Sequence, residues 1–211
     1  MAELRSRLVL ASASPQRRAI LDQLGVVFEV RPVEVEEETS GEPVAVAGAN
    51  ARRKAQAAAA VHQPVSADAE VEAEAILAAD TVVALEGRIL PKPRGESEAR
   101  EWLDVLNGAT HRVVTALALA RGGEFAEAHE TTDVTFRTLS RGERDWYLAT
   151  GEWRDRAGGY AIQGRGAALV ARISGDYTNV VGLPVPALLS LLPDVLRGRA
   201  GAGGPRKTAS G

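Results

Sequence analysis

Leu10-Ala-Ser-Ala-Ser-Pro-Gln-Arg-Arg18 decides the fold, because here an apolar segment runs directly into a helix start. Residues 8–11 predict a strand, Ser14 is a favoured N-cap residue, and Pro15 suits the first helical position. Arg17 stands where Glu or Gln would complete a capping box, and a cation there opposes the helix dipole. An anion bound at the helix start and contacted by an arginine explains why a cation stands at this position. Two solvated surface arginines explain it equally.

The composition is that of an ordinary globular protein. The 211 residues are 45% hydrophobic and 25% charged, and they suffice for one large or two small domains. A net charge of −3 gives no electrostatic case for binding nucleic acid or membranes. The absence of cysteine excludes disulfides and thiolate zinc sites, and it is compatible with a reducing cytoplasm. With neither a secretory signal nor an apolar run of about 20 residues, we expect a cytoplasmic protein without membrane contact.

Strand-like and helix-like segments alternate along the chain, which predicts an α/β architecture. The long strands at the centre are joined by a hairpin at Gly122-Gly123. We expect one elongated domain over residues 1–197, with or without a division into two lobes, and a disordered tail over residues 198–211. A polar connection is expected at 63–74. The predicted strands are 8–11, 26–30, 76–79, 82–85, 113–120, 131–136 and 167–173, and the predicted helices are 15–24, 43–62, 97–106, 141–150 and 184–196.

Four polar segments carry side chains suited to phosphate or metal chemistry. Asp80 follows an apolar run, at the carboxyl end of a predicted strand, where clefts of α/β sheets open. Its carboxylate suits a divalent cation or proton transfer from water, and equally a turn. Lys92 lies between two prolines, in a pose that suits either a phosphate or a stiff polar loop. The acidic loop 34–38 offers one or two metal ligands, and of the consecutive cations 52–54 only one or two can face a cleft.

The glycine-rich segment 158–166 matches neither a Walker loop nor a dinucleotide fingerprint. Its glycines allow the backbone to approach a ligand closely, and the amide of Gln163 would match the edge of uracil or thymine. Asn179 suits a ligand contact or, better, a turn cap. The three histidines have no metal-ligand spacing, so we predict structural roles for them.

Taken together and in this order, the segments resemble the Maf-like nucleoside triphosphate pyrophosphatases. The resemblance implies an α/β fold of the Maf and inosine triphosphatase type, with a mixed twisted sheet, flanking helices and a central cleft. It also implies release of pyrophosphate from a nucleoside triphosphate with a divalent cation, Mg²⁺ or Mn²⁺. The matching pieces span residues 8 to about 192 and include Leu-Ala-Ser-Ala-Ser-Pro at 10–15, Val-Glu-Glu-Glu at 35–38, Lys-Ala at 54–55, Ala-Ala-Asp-Thr-Val-Val at 78–83, Pro-Lys-Pro at 91–93, Ala-Gly-Gly-Tyr-Ala-Ile-Gln-Gly at 157–164 and Gly-Leu-Pro at 182–184.

The resemblance also implies roles for individual residues. Asp80 matches the catalytic proton acceptor, and Asp80 and Glu37 are the implied metal ligands. The ending Ile-Gln-Gly is similar to the branch that acts on dTTP and UTP. The implied substrate-binding residues are Ser12, Ser14, Arg17, Lys54, Lys92 and Arg156, and the residues linked to base choice are Gln16, Thr81 and Gln163.

Two positions depart from the pattern of the family. Gln16 stands where the family more often has an arginine, and Arg156 stands where a lysine is usual. The planar fork of an arginine differs from an ammonium, although the charge is kept.

The hypothesis is a dTTP/UTP pyrophosphatase, acting on normal or modified pyrimidine nucleotides, whose partners are its substrate and a second copy of itself in a homodimer. One alternative is a non-catalytic nucleotide-binding regulator of cell division and septum formation. The other is a house-cleaning enzyme of the inosine triphosphatase type. Release of pyrophosphate separates the first alternative from the hypothesis, and a purine panel separates the second.

Overall fold

The computed structural model describes residues 8–61 and 74–196, and within them the strands form one mixed sheet. Three neighbouring strands are parallel: β1 (Leu8–Leu10), β2 (Phe28–Val30) and β3 (Ala75–Leu85). The others pair antiparallel: β4 (Arg88–Ile89), β5 (Thr110–Arg121), β6 (Glu124–Phe136) and β7 (Val170–Ser174). The strand order is β2-β1-β3-β5-β6-β7, with β4 on β3. The predicted α/β class with a mixed sheet is confirmed.

Six α-helices flank the sheet in the described part of the chain. They are α1 (Pro15–Gln23), α2 (Pro43–Val61), α3 (Glu96–Leu106), α4 (Arg141–Thr150), α5 (Tyr177–Val181) and α6 (Val185–Leu191). The alanines of α2 let it pack closely on one face, while α1 and α6 cover the other. A third cluster of apolar side chains joins α3 and α4 to the beginning of β5 and the end of β6. No helix in residues 8–61 and 74–196 is long and apolar enough to cross a membrane.

The alternation of side chains along β3 directs two neighbouring polar residues to opposite faces of the sheet. Ala78 and Val82 pack toward α2, whereas Ala79 packs with the cluster around α1 and α6. Asp80 shares its face with Ala78 and Val82, so it meets α2, and Thr81 meets α1. Because β1 ends beside residue 77 of β3, both polar side chains border the space beyond that end.

Local signals place the helix start and the hairpin as predicted. The backbone N–H of Arg17 donates to Ser14 Oγ over 3.4 Å, and Pro15 is the first residue of α1. Gly122 and Gly123 join β5 to β6, and their φ angles of 57° and 87° are those of a turn that favours glycine at both positions.

Several predicted boundaries were wrong. The strand expected at 131–136 begins at Glu124, directly after the hairpin, and the strand expected at 113–120 begins at Thr110. The two strands expected at 76–79 and 82–85 form one continuous β3, because every residue from Ala75 to Ala84 pairs with β5. The strand expected at 167–173 begins at Val170, after a 3₁₀ turn over residues 164–169. The last helix ends at Leu191, and Pro184 precedes its first residue. The strand expected at 26–30 begins only at Phe28.

Two predicted segments fall at the limits of the described residues. The polar connection at 63–74 lies outside them except for Glu74, and so does the tail at 198–211.

Candidate active site

A cleft of about 490 Å³ opens beyond the carboxyl end of β1. The start of α1 lines one side of it, and residues 154–163, which contact that helix start through Arg156, line it as well. Although they come from seven separate segments, all the predicted site residues line it. They are Ser12, Ser14, Gln16, Arg17, Glu37, Lys54, Asp80, Thr81, Lys92, Arg156 and Gln163.

Alternating charges run along the α2 side of the cleft. Lys54 Nζ lies 2.7 Å from Asp80 Oδ1 and 2.5 Å from Glu37 Oε1. Lys92 Nζ lies 3.4 Å from the second oxygen of Glu37. Burial raises the pKa of Glu37, but its ion pairs with Lys54 and Lys92 outweigh this effect, so the pKa is lowered overall. Glu37 therefore remains a carboxylate at neutral pH.

Asn50 belongs to this cluster, and the sequence analysis missed it. Its amide nitrogen donates to Asp80 Oδ2 over 3.1 Å and to the carbonyl of Glu38, while its oxygen accepts from the N–H of Glu38 over 2.8 Å. The side chain thus holds both the carboxylate and the acidic loop. The available signal was its place four residues before Lys54, on the same face of an alanine-rich helix.

The other wall is organised by Arg17, which is held by three protein oxygens. Its guanidinium donates to Ser12 Oγ over 3.0 Å, to Thr81 Oγ1 over 3.1 Å and to the carbonyl of Gly182 over 2.8 Å. Burial lowers the pKa of Arg17, and the nearby carboxylates Asp80 and Glu37 oppose that shift. Two of its five N–H donors are not used in these contacts, and the side chain lines the cleft. Arg17 is therefore a fixed cation at the helix start.

Gln16 and Arg156, the two departures from the family pattern, are in contact. Arg156 Nη1 donates to Gln16 Oε1 over 2.6 Å at the N-terminal end of α1. Gln163 lies exposed on the same wall as Arg156.

Other candidate residues have structural positions. Of the cations 52–54, Lys54 faces the cleft, Arg53 ties Glu38 to the helix, and Arg52 pairs with Glu127 outside. Asn179 is fully buried and bonds to the carbonyl of Val113, which fits its predicted structural reading.

The donor set of the cleft suits a magnesium-like cation that is shared with a ligand. Within the described ranges no group of three or more His, Cys, Asp or Glu side chains comes together as a metal centre. Glu37 and Asp80 instead converge on one ammonium, which marks a point where both carboxylates already favour a cation. Two carboxylates are the number that Mg²⁺ usually takes from a protein when phosphate oxygens and waters supply the rest. The residues present therefore fit such an ion.

One buried and one partly buried carboxylate, a lysine between them and further cations line a cleft of this α/β protein that suits a polyanionic ligand. Comparison with known sequences identifies the family. The chain belongs to the Maf family of Maf-like proteins, whose pattern matches residues 7–195.

Relatives with assigned names cover nearly all of this chain. A dTTP/UTP pyrophosphatase of Symbiobacterium thermophilum is 44% identical over 188 residues, which are 88% of this chain and 92% of that protein. One from Rhodopseudomonas palustris is 46% identical over 192 residues, covering 89% and 91%. One from Pyrococcus furiosus is 44% identical over 187 residues, covering 88% and 94%.

Proposed function

We propose that this protein hydrolyses dTTP and UTP to the monophosphate and pyrophosphate. The observation that carries the proposal is the Lys54 ammonium held between Asp80 and Glu37 in a cleft that the other five predicted substrate-binding residues also line. The names of relatives about 45% identical over about nine-tenths of the chain support the same substrates.

In this proposal the cationic side chains bind the triphosphate and orient it. Arg17 and Arg156 stand on the α1 side, whereas Lys54 and Lys92 stand on the α2 side, so a chain of phosphates between the walls meets cations from both. Glu37 and Asp80 would hold the divalent cation, which when bound would supply positive charge against the phosphates and the pyrophosphate leaving group. Fixed charges of this kind stabilise the transition state without reorganisation.

Asp80 is the proposed proton acceptor for the attacking water. It is 6% exposed, and its two oxygens are held by Lys54 and Asn50, so the carboxylate is fixed in orientation. We expect Asp80→Asn to retain nucleotide binding and to lose turnover on the order of 10²–10⁴-fold. Calorimetric binding and pyrophosphate release measure the two effects separately. Asp22→Asn, on the exposed side of α1, is the matched control.

A nucleotide panel tests the substrate assignment directly. Pyrophosphate release is measured with UTP, dTTP, CTP, GTP and ITP in Mg²⁺ and in Mn²⁺. The donor and acceptor of the Gln163 amide predict faster hydrolysis of UTP and dTTP than of CTP. Equal rates with all five nucleotides would contradict base selection. If none of the five released pyrophosphate, the interpretation as a non-catalytic nucleotide-binding regulator would be favoured over the enzyme. The homodimer, the cytoplasmic location and the lack of a nucleic acid partner stay predictions.

A further inference from the structure

Two side chains 140 residues apart meet at the edge of the cleft. Gln16 occupies the second position of α1, and Arg156 directly precedes the 3₁₀ turn Ala157–Gly159. Their contact is the 2.6 Å hydrogen bond from Arg156 Nη1 to Gln16 Oε1. The same amide oxygen also accepts from Ser14 Oγ over 3.2 Å. Gln16 thus links the start of α1 to the segment that carries Arg156 through one acceptor atom.

An acceptor is essential at position 16 if Arg156 is to stay in this place. A guanidinium has five N–H donors and no acceptor, so a hydrogen bond that holds it needs an acceptor atom on the partner side chain. A second arginine at position 16 would have no atom to accept from Arg156 and would repel it. The uncharged amide holds the cation and leaves its charge in place, whereas a glutamate at position 16 would neutralise that charge. The pair therefore leaves a full positive charge at the edge of the cleft.

Arg156 retains unused hydrogen-bonding capacity. Its Nε is buried and has no hydrogen-bond partner among the residues that the structure describes, although its side chain lines the cleft. A buried donor without an acceptor is costly, and an oxygen from a ligand would remove that cost. Phosphate oxygens match both the charge and the planar fork of a guanidinium better than a neutral base does.

We infer that Gln16 and Arg156 work as one unit, in which Gln16 is a positioning residue that holds the guanidinium of Arg156 against the phosphates of the bound nucleotide. The inference rests on the proposed function. It assigns Gln16 no contact with the base: this residue influences binding through the cation that it holds.

Exchanging the two residues provides the decisive test. Gln16→Arg places two guanidiniums together, and Arg156→Gln removes the cation. We expect each single variant to raise KM for UTP about tenfold, the effect of losing one charge-assisted hydrogen bond, with kcat within about twofold of wild type. The double variant, Gln16→Arg with Arg156→Gln, restores one amide and one guanidinium in contact. Its KM should return to within about threefold of wild type, where independent effects would multiply to about a hundredfold.

Further measurements separate the pair from folding effects and from base recognition. Gln23→Arg, the same substitution at the exposed end of α1, should leave KM unchanged. Gln16→Met keeps the size of the side chain but removes its acceptor, so it should raise KM as Gln16→Arg does. It replaces Gln16→Arg in the test if that variant fails to fold. Inorganic triphosphate is the probe for phosphate contact, and its inhibition constant should rise in parallel with KM in each single variant.

Three results would overturn the inference: a double variant whose KM is the product of the single effects, an unchanged inhibition constant for triphosphate, or variants that lose thermal stability while KM stays constant. Pyrophosphate release by the wild-type protein is measured first. It tests the proposed function separately, and that function would stand even if the pair proved uncoupled.

Discussion

Lys54→Met is the most informative perturbation, because one ammonium holds two carboxylates in the cleft. The side chains of Lys54 and Asp80 are 11% and 9% exposed, whereas that of Glu37 is 31% exposed. Methionine fills a similar volume but leaves Asp80 with Asn50 and Glu37 with Lys92. Removing one partner of a fully buried pair costs about 3–5 kcal/mol, and the open cleft reduces this to about 2–3 kcal/mol here. At about 2–4 °C per kcal/mol, Tm should fall by about 5–10 °C.

Urea unfolding of four proteins measures how much the contact between Lys54 and Asp80 contributes to the free energy of unfolding. The wild type, Lys54→Met, Asp80→Asn and the double variant form a cycle, in which the coupling between residues 54 and 80 should exceed about 1 kcal/mol. Arg52→Met is the control, since the ion pair of Arg52 with Glu127 is exposed and should contribute little to stability. If Lys54→Met is as stable as Arg52→Met, or if the double variant is simply additive, the ammonium does not hold the carboxylates together and this account of the site fails.

Three further perturbations test other parts of the structure. Asn50→Ala frees both Asp80 and the acidic loop, so kcat for UTP should fall about 10- to 100-fold, and an unchanged kcat would show that Asn50 positions neither. Burial lowers the pKa of His111 to about 4 from 6.5, so as the pH falls the unfolded protein binds a proton at this residue before the folded protein does. The free energy of unfolding should therefore fall by about 2 kcal/mol between pH 7 and pH 4.5. Urea unfolding should show a smaller fall in His111→Gln, and an equal fall would show that His111 is not the cause. A Cβ on Gly166 would lie 1.8 Å from the carbonyl oxygen of Ala161, so Gly166→Ala should destabilise by more than about 2 kcal/mol, whereas Gly142→Ala, with open space around it, should not lower Tm.

Short-range chemistry made much of the fold predictable. Ser14, Pro15 and the glycine pair at 122–123 act on their own backbones, and both the start of α1 and the hairpin lie where these residues predict them. The boundaries failed where tertiary pairing acts instead. The chemistry of Asp80 alone predicts a strand end, yet β5 pairs with β3 from Ala75 to Ala84 and continues the strand through Asp80.

The candidate site shows the same division. Side-chain chemistry and local context were sufficient to select Asp80, Lys92 and Gln163 from the sequence, together with the start of α1, the acidic loop 34–38 and the cations 52–54. The resemblance singled out Glu37 and Lys54 within those segments and supplied the other residues of the site. Asn50 escaped because a single asparagine in an alanine-rich helix has no local property that reveals its partner.

The sequence by itself determined the class of fold, the helix start at Ser14 and the residue types of the site, since these depend on local propensity and side-chain chemistry. Only the tertiary structure decided that Asp80 and Thr81 face opposite walls, that Lys54 joins two carboxylates, and that Gln16 meets Arg156. The physical reason is that such contacts join residues far apart in the chain, and their geometry exists only once the sheet has paired and the helices have packed on it.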